Sequence, residues 1–370
     1  MTAIEVAEDL SGLDVALTLV PNQPAVFLLW PRQGDPYLAR TALLRRRLLR
    51  LLKERDKPGR LLNLRHTVSR IEYQLTGSGF ESAVRMYELA RQHFPKTYLD
   101  LLKLRMPPYV KIILNNPFPR TQITTHLTRT GAYFGPFRAR STAELFEAQM
   151  LDLFQMRRCQ DDLQPSPAHP GCMYGEMGMC LRPCQEVVGP EEYRHEVERV
   201  EQFLRTGGQS LIESVAKARD RFSQEMMFEE AARQHKRLEK IQEVLKLRDE
   251  LARELDHLHG VAITASLEPN AVELWFVRGG EWLDARQFSF EIAEGKPVSL
   301  DRKLRELFAA LELQFQAGAQ RTLRERQEYL ALLARWYYSS WREGEWVFFD
   351  RFEDAPYRKI VHAISRVAKS

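Results

Sequence analysis

CQDDLQPSPAHPGCMYGEMGMCLRPC, residues 159–184, holds all four cysteines of a 370-residue chain. Pro165, Pro167, Pro170 and Pro183, with three glycines, break any continuous helix or strand here. A long irregular stretch inside a compact region needs something to order it, and a bound metal would do so. Cys159, Cys172, Cys180 and Cys184 follow the pattern C-x12-C-x7-C-x3-C. Four thiolates suit either tetrahedral Zn²⁺ or a [4Fe–4S] cluster. Only the last pair resembles a zinc knuckle, so the wider gaps fit iron–sulfur at least as well. Spacing leaves both open, together with four unliganded buried thiols.

The rest of the chain narrows the setting. A length of 370 residues predicts two or three domains. Glu5, Glu8, Asp9 and Asp14 occupy the first thirty residues, unlike a secretory signal, and no apolar run is long enough to span a membrane. The expected location is cytoplasmic, where disulfides are disfavoured. Net charge is only +4, but Arg40, Arg45, Arg46, Arg47, Arg50, Lys53, Arg55, Lys57 and Arg60 crowd a short stretch against Glu54 and Asp56. Such a block is either a face for a polyanion such as nucleic acid or a solvated helix whose arginine stems cover apolar surface.

Periodicity predicts strands at "PAVFLLW", "PYLA", "HTVSRIEYQLT" and "PPYVKIIL", a helix through Leu44, Leu48, Leu51 and Leu52, and another over Phe80–His93. Ser141–Glu144 and Ser210–Glu213 both spell capping boxes. A helical hairpin is expected to turn around Met227 and Phe228. Beyond Gly260 come strands with a Gly279-Gly280 turn, then helices near Leu304–Gln316 and Thr322–Ser340. The aromatic run "WYYSSWREGEWVFF" reads as core packing ahead of a base-stacking platform.

"YFGPFRARSTAE", the cysteine stretch ending in "GMCLRPC", and "FEEAARQHKRLEKI", in that order, resemble the UvrC family of nucleotide-excision-repair nucleases. The resemblance covers about the first 290 residues and does not extend to the family's RNase H-like domain or its tandem helix-hairpin-helix module. It implies α/β and α+β architecture in several domains. These are a small GIY-YIG nuclease-like α/β domain (1–115), a cysteine-rich cluster region (116–190), a helical region with a UVR-like hairpin (191–258) and a mixed strand/helix domain (259–370). It implies a [4Fe–4S] cluster on the four cysteines, with Zn²⁺ as the alternative. It also implies DNA as partner, and a UvrB-like helicase meeting the hairpin at Phe228, Glu229, Ala231 and Ala232. The usual Arg-Asp pair after these residues is His235-Lys236 here.

The implied nuclease site is degenerate. The GIY-type strand falls on Ala25-Val26-Phe27 and the YIG-type strand on Tyr37-Leu38-Ala39, so Phe27 and Ala39 replace family residues while Tyr37 and Arg47 remain. The metal-binding glutamate falls on Met86 and a nearby asparagine on Tyr98; a register slip would bring Glu81 or Glu88 there instead. Mg²⁺ or Mn²⁺, required only if the site cuts, prefers oxygen over a thioether. The expectation is a DNA-repair protein binding DNA through Arg40, Arg45 and Arg47 without nuclease activity in this chain. An active structure- or damage-specific endonuclease and an iron–sulfur redox sensor are the alternatives.

Overall fold

The computed structural model describes residues 1–54, 62–290, 299–317 and 321–369; Arg55, Lys57 and Arg60 of the basic block lie outside the described residues. The first unit runs β1 (Thr2–Glu5), α1 (Leu13–Leu19), β2 (Ala25–Pro31), β3 (Tyr37–Thr41), α2 (Leu44–Leu52), β4 (Val68–Leu75), α3 (Gly79–His93) and α4 (Tyr98–Leu102). Its antiparallel sheet is ordered β1-β4-β2-β3. Strand alternation divides β2: Ala25, Phe27 and Leu29 face α1 and α2, while Val26 and Leu28 face α3. Arg65 ties this unit together, donating two parallel bonds of 2.8 Å to Asp14 and one of 2.9 Å to the Leu52 carbonyl near the end of α2.

The second unit contains β5 (Tyr109–Ile113), β6 (Arg120–Thr124), β7 (Ala132–Gly135), α5 (Arg140–Leu151), α6 (Met173–Glu176), α7 (Pro190–Arg205), α8 (Gln209–Gln224), α9 (Phe228–Lys246) and β8 (Arg253–Glu254). β5 pairs with β6 and β7, so this sheet begins at Tyr109, not after residue 115. Neither expected capping box forms. Helix α5 starts two residues earlier, where the Thr142 hydroxyl accepts the Ala139 N–H, and Glu144 pairs with Arg140 instead. Helix α8 is preceded by Gly208 in the left-handed region, which places Ser210 already inside the helix. The hairpin of α8 and α9 turns at residues 225–227, as the sequence predicts; its base packs Leu211, Val215, Leu238, Ile241 and Val244 into the second core.

The third unit has β9 (His259–Ala265), β10 (Ala271–Arg278), β11 (Glu281–Trp282), β12 (Arg286–Ser289), α10 (Leu300–Ala317), α11 (Leu323–Tyr337), β13 (Glu345–Phe349) and α12 (Tyr357–Val367). Gly279 and Gly280, at φ 56° and 68°, make the β10–β11 turn. One sheet face, with Val261, Ile263, Leu274 and Phe276, packs on α10 and α12; the other, with Ala262, Trp275 and Trp346, packs on α11. Trp336, Tyr337, Trp346 and Phe349 of the aromatic run are buried, which bears out the packing reading, and Trp341 alone of its large side chains stands 88% exposed.

Helix α11 touches all three units. Gln327 accepts the Leu127 N–H at 3.0 Å and donates to the Thr125 carbonyl at 2.7 Å in the second unit. Tyr338, just past its end, donates to the Pro136 carbonyl at 2.8 Å. Toward the first unit, Tyr87 of α3 and Tyr98 of α4 each donate a 2.6 Å bond to Glu328, a carboxylate only 1% exposed. Over residues 329–334 the helix is apolar all round, and Tyr329 through Ala334 are all buried.

Candidate functional site

Helix α2 sets its arginines by angle. With Leu44, Leu48, Leu51 and Leu52 facing the core, Arg46 and Arg50 lie opposite, and Arg45 and Arg47, about 200° apart, fall on opposite flanks. Arg40, Arg46, Arg47 and Arg50 therefore line one cleft at the open β3 edge, together with Thr41. Arg47 donates from Nη2 to the Tyr37 hydroxyl at 3.1 Å, so the two retained family positions do meet. Arg45 does not join them. Its Nε donates at 2.6 Å to the carbonyl of Val20, the residue that ends α1, where a cation complements the helix terminus. The sequence reading did not single out Arg46 and Arg50 for this cleft; helical spacing, two and six positions beyond Leu44, is the signal that could have found them.

Burial, and then the neighbouring Arg335 cation, pull the Arg40 pKa down, so an anion beside Arg40 would relieve both. Phe27 lies beside Tyr37, ring centroids 6.2 Å apart, and pairs with Ala39 across the β2–β3 ladder. With Phe27 and Ala39 apolar, Tyr37 supplies the hydroxyl on this patch.

The position assigned to the metal-binding glutamate is on the other side of the sheet. Met86 packs against the core shared with α11, whereas Tyr37 packs against the core under α2. Tyr98 is committed to Glu328. The register-slip candidates do not line the arginine cleft. Glu88 pairs with Arg85 at 2.7 Å, and Glu81 accepts the Gly77 N–H at 2.7 Å at the start of α3. Burial raises the Glu81 pKa, which disfavours the charged form a cation needs. Among the described residues, no three His, Cys, Asp or Glu side chains stand close enough to hold one metal ion.

The four cysteines are free thiols drawn from one loop, with Cys180 and Cys184 buried, Cys159 half-buried and Cys172 exposed. Burial chiefly pushes the Cys180 thiol up to about 11. The Arg182 N–H, donating to its sulfur at 3.4 Å, works against this, while the charges of Cys159, Cys172 and Cys184 add to it. The four groups thus lie within electrostatic reach of one another. At the tip of the α8–α9 hairpin, Met226, Met227 and Phe228 are exposed apolar side chains; Glu229 and Ala232 are exposed beside them and Ala231 is half-buried.

The described fold is modular: an arginine-lined edge on a small α/β unit is followed by a cysteine loop and a helical hairpin. Residues 108–203 match the family model of the UvrC/Cho excinuclease middle domain. The chain is 29% identical over 286 residues to UvrABC system protein C of Moorella thermoacetica, covering 76% of this chain and 46% of that one. It is 24% identical to the same-named protein of Lachnospira eligens (78% and 48%) and 25% identical to that of Acetivibrio thermocellus (86% and 52%). The chain is similar to UvrC proteins over about three quarters of its length, and its residues 108–203 are those of the family's middle domain. It spans about half the length of the curated relatives it matches. No solved structure matches it. No described helix is long and apolar enough to cross a membrane.

Proposed function

We propose that this chain is a DNA-binding repair protein of nucleotide excision repair that grips phosphates with the arginine cleft and does not cut. The observation that carries the reading is the cleft itself: four arginines line it and one of them, Arg47, donates to the Tyr37 hydroxyl, while Met86 packs against the core shared with α11. Arginine forks match phosphate oxygens, and a row of them supplies sequence-independent affinity. Hydrolysis needs more, since the phosphate must be polarised by a divalent cation held on oxygen ligands, and a thioether is a poor one. The first unit is, on this reading, a GIY-YIG nuclease domain that keeps phosphate contact and has lost its metal.

Two further parts follow the family relationship. The exposed Met226, Met227 and Phe228 suit docking to a UvrB-like helicase, with Glu229, Ala231 and Ala232 beside them. The four thiols suit a [4Fe–4S] cluster, the group that the family relationship implies, with Zn²⁺ as the alternative for the same four-thiolate donor set. Cys159, Cys172, Cys180 and Cys184 would hold it, and the cluster would order the loop. Four free thiols suit the cytoplasm, where disulfides are disfavoured.

The test is a nicking assay with Mg²⁺ or Mn²⁺ on damaged and branched duplexes, run beside a binding assay on the same DNA. Binding without cleavage is expected. Reproducible nicking that disappears in R47Q would make the chain an endonuclease and overturn the proposal.

A further inference from the structure

Two arginines precede Cys159, and the fold treats them oppositely. Arg158 meets an anion, donating from Nη2 to Asp152 at 2.7 Å and lying over the Tyr174 ring at 5.2 Å, with its Nε buried and unpartnered. Arg157 is 1% exposed. Its Nε donates to the Phe118 carbonyl at 2.9 Å, and its Nη1 to the Asp161 carbonyl at 2.8 Å. The same Nη1 reaches the Cys159 carbonyl at 3.3 Å and the Cys159 Sγ at 3.4 Å. Its backbone N–H is held by the Tyr193 hydroxyl at 2.9 Å. The remaining nitrogen, Nη2, is buried with no partner. Among the acceptors named for Arg157 there is no carboxylate.

A guanidinium keeps its proton in proteins, so this is a buried positive charge held by neutral carbonyls. Such a charge is costly unless an anion answers it. The sulfur it touches belongs to the cysteine cage, and a cluster bound by four thiolates carries net negative charge. We propose that Arg157 is a positioning residue of that cage. It fixes Cys159 by both its sulfur and its carbonyl, and it supplies the positive charge that balances a thiolate-bound iron–sulfur cluster. This inference rests on the cluster reading given above, and it assigns to the cage a cation from outside the four ligands.

The experiment uses the full chain, purified and reconstituted with iron and sulfide without oxygen, as wild type, R157K, R157Q and R158Q. Iron content, the visible spectrum, the reduction midpoint and the rate of iron loss to a chelator are read for each, with circular dichroism as the check on folding. In R157Q, iron loss is expected to be at least about tenfold faster, as for other partners that orient metal ligands. Its midpoint is expected to move negative, because the cation favours the more reduced, more negative cluster. R157K keeps the charge without the fork, so its midpoint stays nearer the wild type while its iron loss quickens. R158Q behaves as wild type. A purely structural role would speed loss equally in both Arg157 variants without ordering their midpoints by charge. A loaded wild type with an R157Q of the same midpoint and loss rate overturns the role of the arginine alone. A wild type that takes up no cluster overturns the cluster reading and this inference with it. Should R157Q fail to fold, R157K decides, and a wild-type rate of iron loss there overturns the proposal.

Discussion

Gly77 sits where a larger residue cannot. A Cβ there would lie 2.4 Å from the Ser266 carbonyl carbon and 2.7 Å from the Ala265 oxygen, so β4's end and the β9–β10 loop meet backbone to backbone. Backbone atoms on both sides cannot swing aside as a flexible side chain would. Gly77→Ala is expected to cost about 1–3 kcal/mol, the range for overpacking a filled contact. A urea unfolding midpoint equal to that of the wild type would show that the two units do not meet this way. The same scale separates the arginines of α2. Arg45 closes α1 and Arg47 meets Tyr37, although only two positions divide them. Replacing Arg45 should therefore lower stability and leave the salt dependence of DNA binding nearly unchanged.

Among elements, α11 decides the most. Its Glu328 carboxylate accepts from Tyr87, Tyr98 and Arg324 in a place water does not reach. Removing it as Glu328→Ala leaves two buried hydroxyls without their acceptor, and a loss of about 3–5 kcal/mol is expected. Tyr98→Phe removes one bond and should cost about 1 kcal/mol. A double-mutant cycle between the two checks the pairing: additive losses would mean that the residues do not act as a unit. One turn earlier, the Thr322 N–H and then Arg91 hold the Glu325 carboxyl at about 2, well below its ordinary value of 4.5. A depressed folded-state pKa means that this stabilisation is complete above pH 4.5 and is lost as pH falls from there toward 2. Acid unfolding of Glu325→Gln should be correspondingly flatter in that window, and an unchanged profile would contradict the assignment.

Across the whole molecule, local pattern carried some features and not others. Strands β2 to β4, helix α2 and the α8–α9 hairpin follow from apolar spacing and turn residues close in sequence, and so they were legible. The role of α11 was not, because its partners Thr125 and Leu127 lie about two hundred residues away and leave no trace in local periodicity. β13 was missed for a related reason, since it pairs with β9 more than eighty residues earlier. The capping boxes failed where a better start lay upstream: Gly208, already left-handed, opened α8 before Ser210 could cap it. At the site, residue type gave the basic block, but only the helix angle distinguished Arg46 and Arg50 from Arg45.

The central claim, phosphate recognition by the α2 cleft, is tested most directly by measuring DNA affinity across a salt series for the wild type, R46Q and R47Q. Each phosphate contact releases condensed counterions, so log affinity should fall linearly with log salt, and each neutralised arginine should flatten that slope by about one. A slope near zero in the wild type, or one that neither substitution changes, would contradict the account.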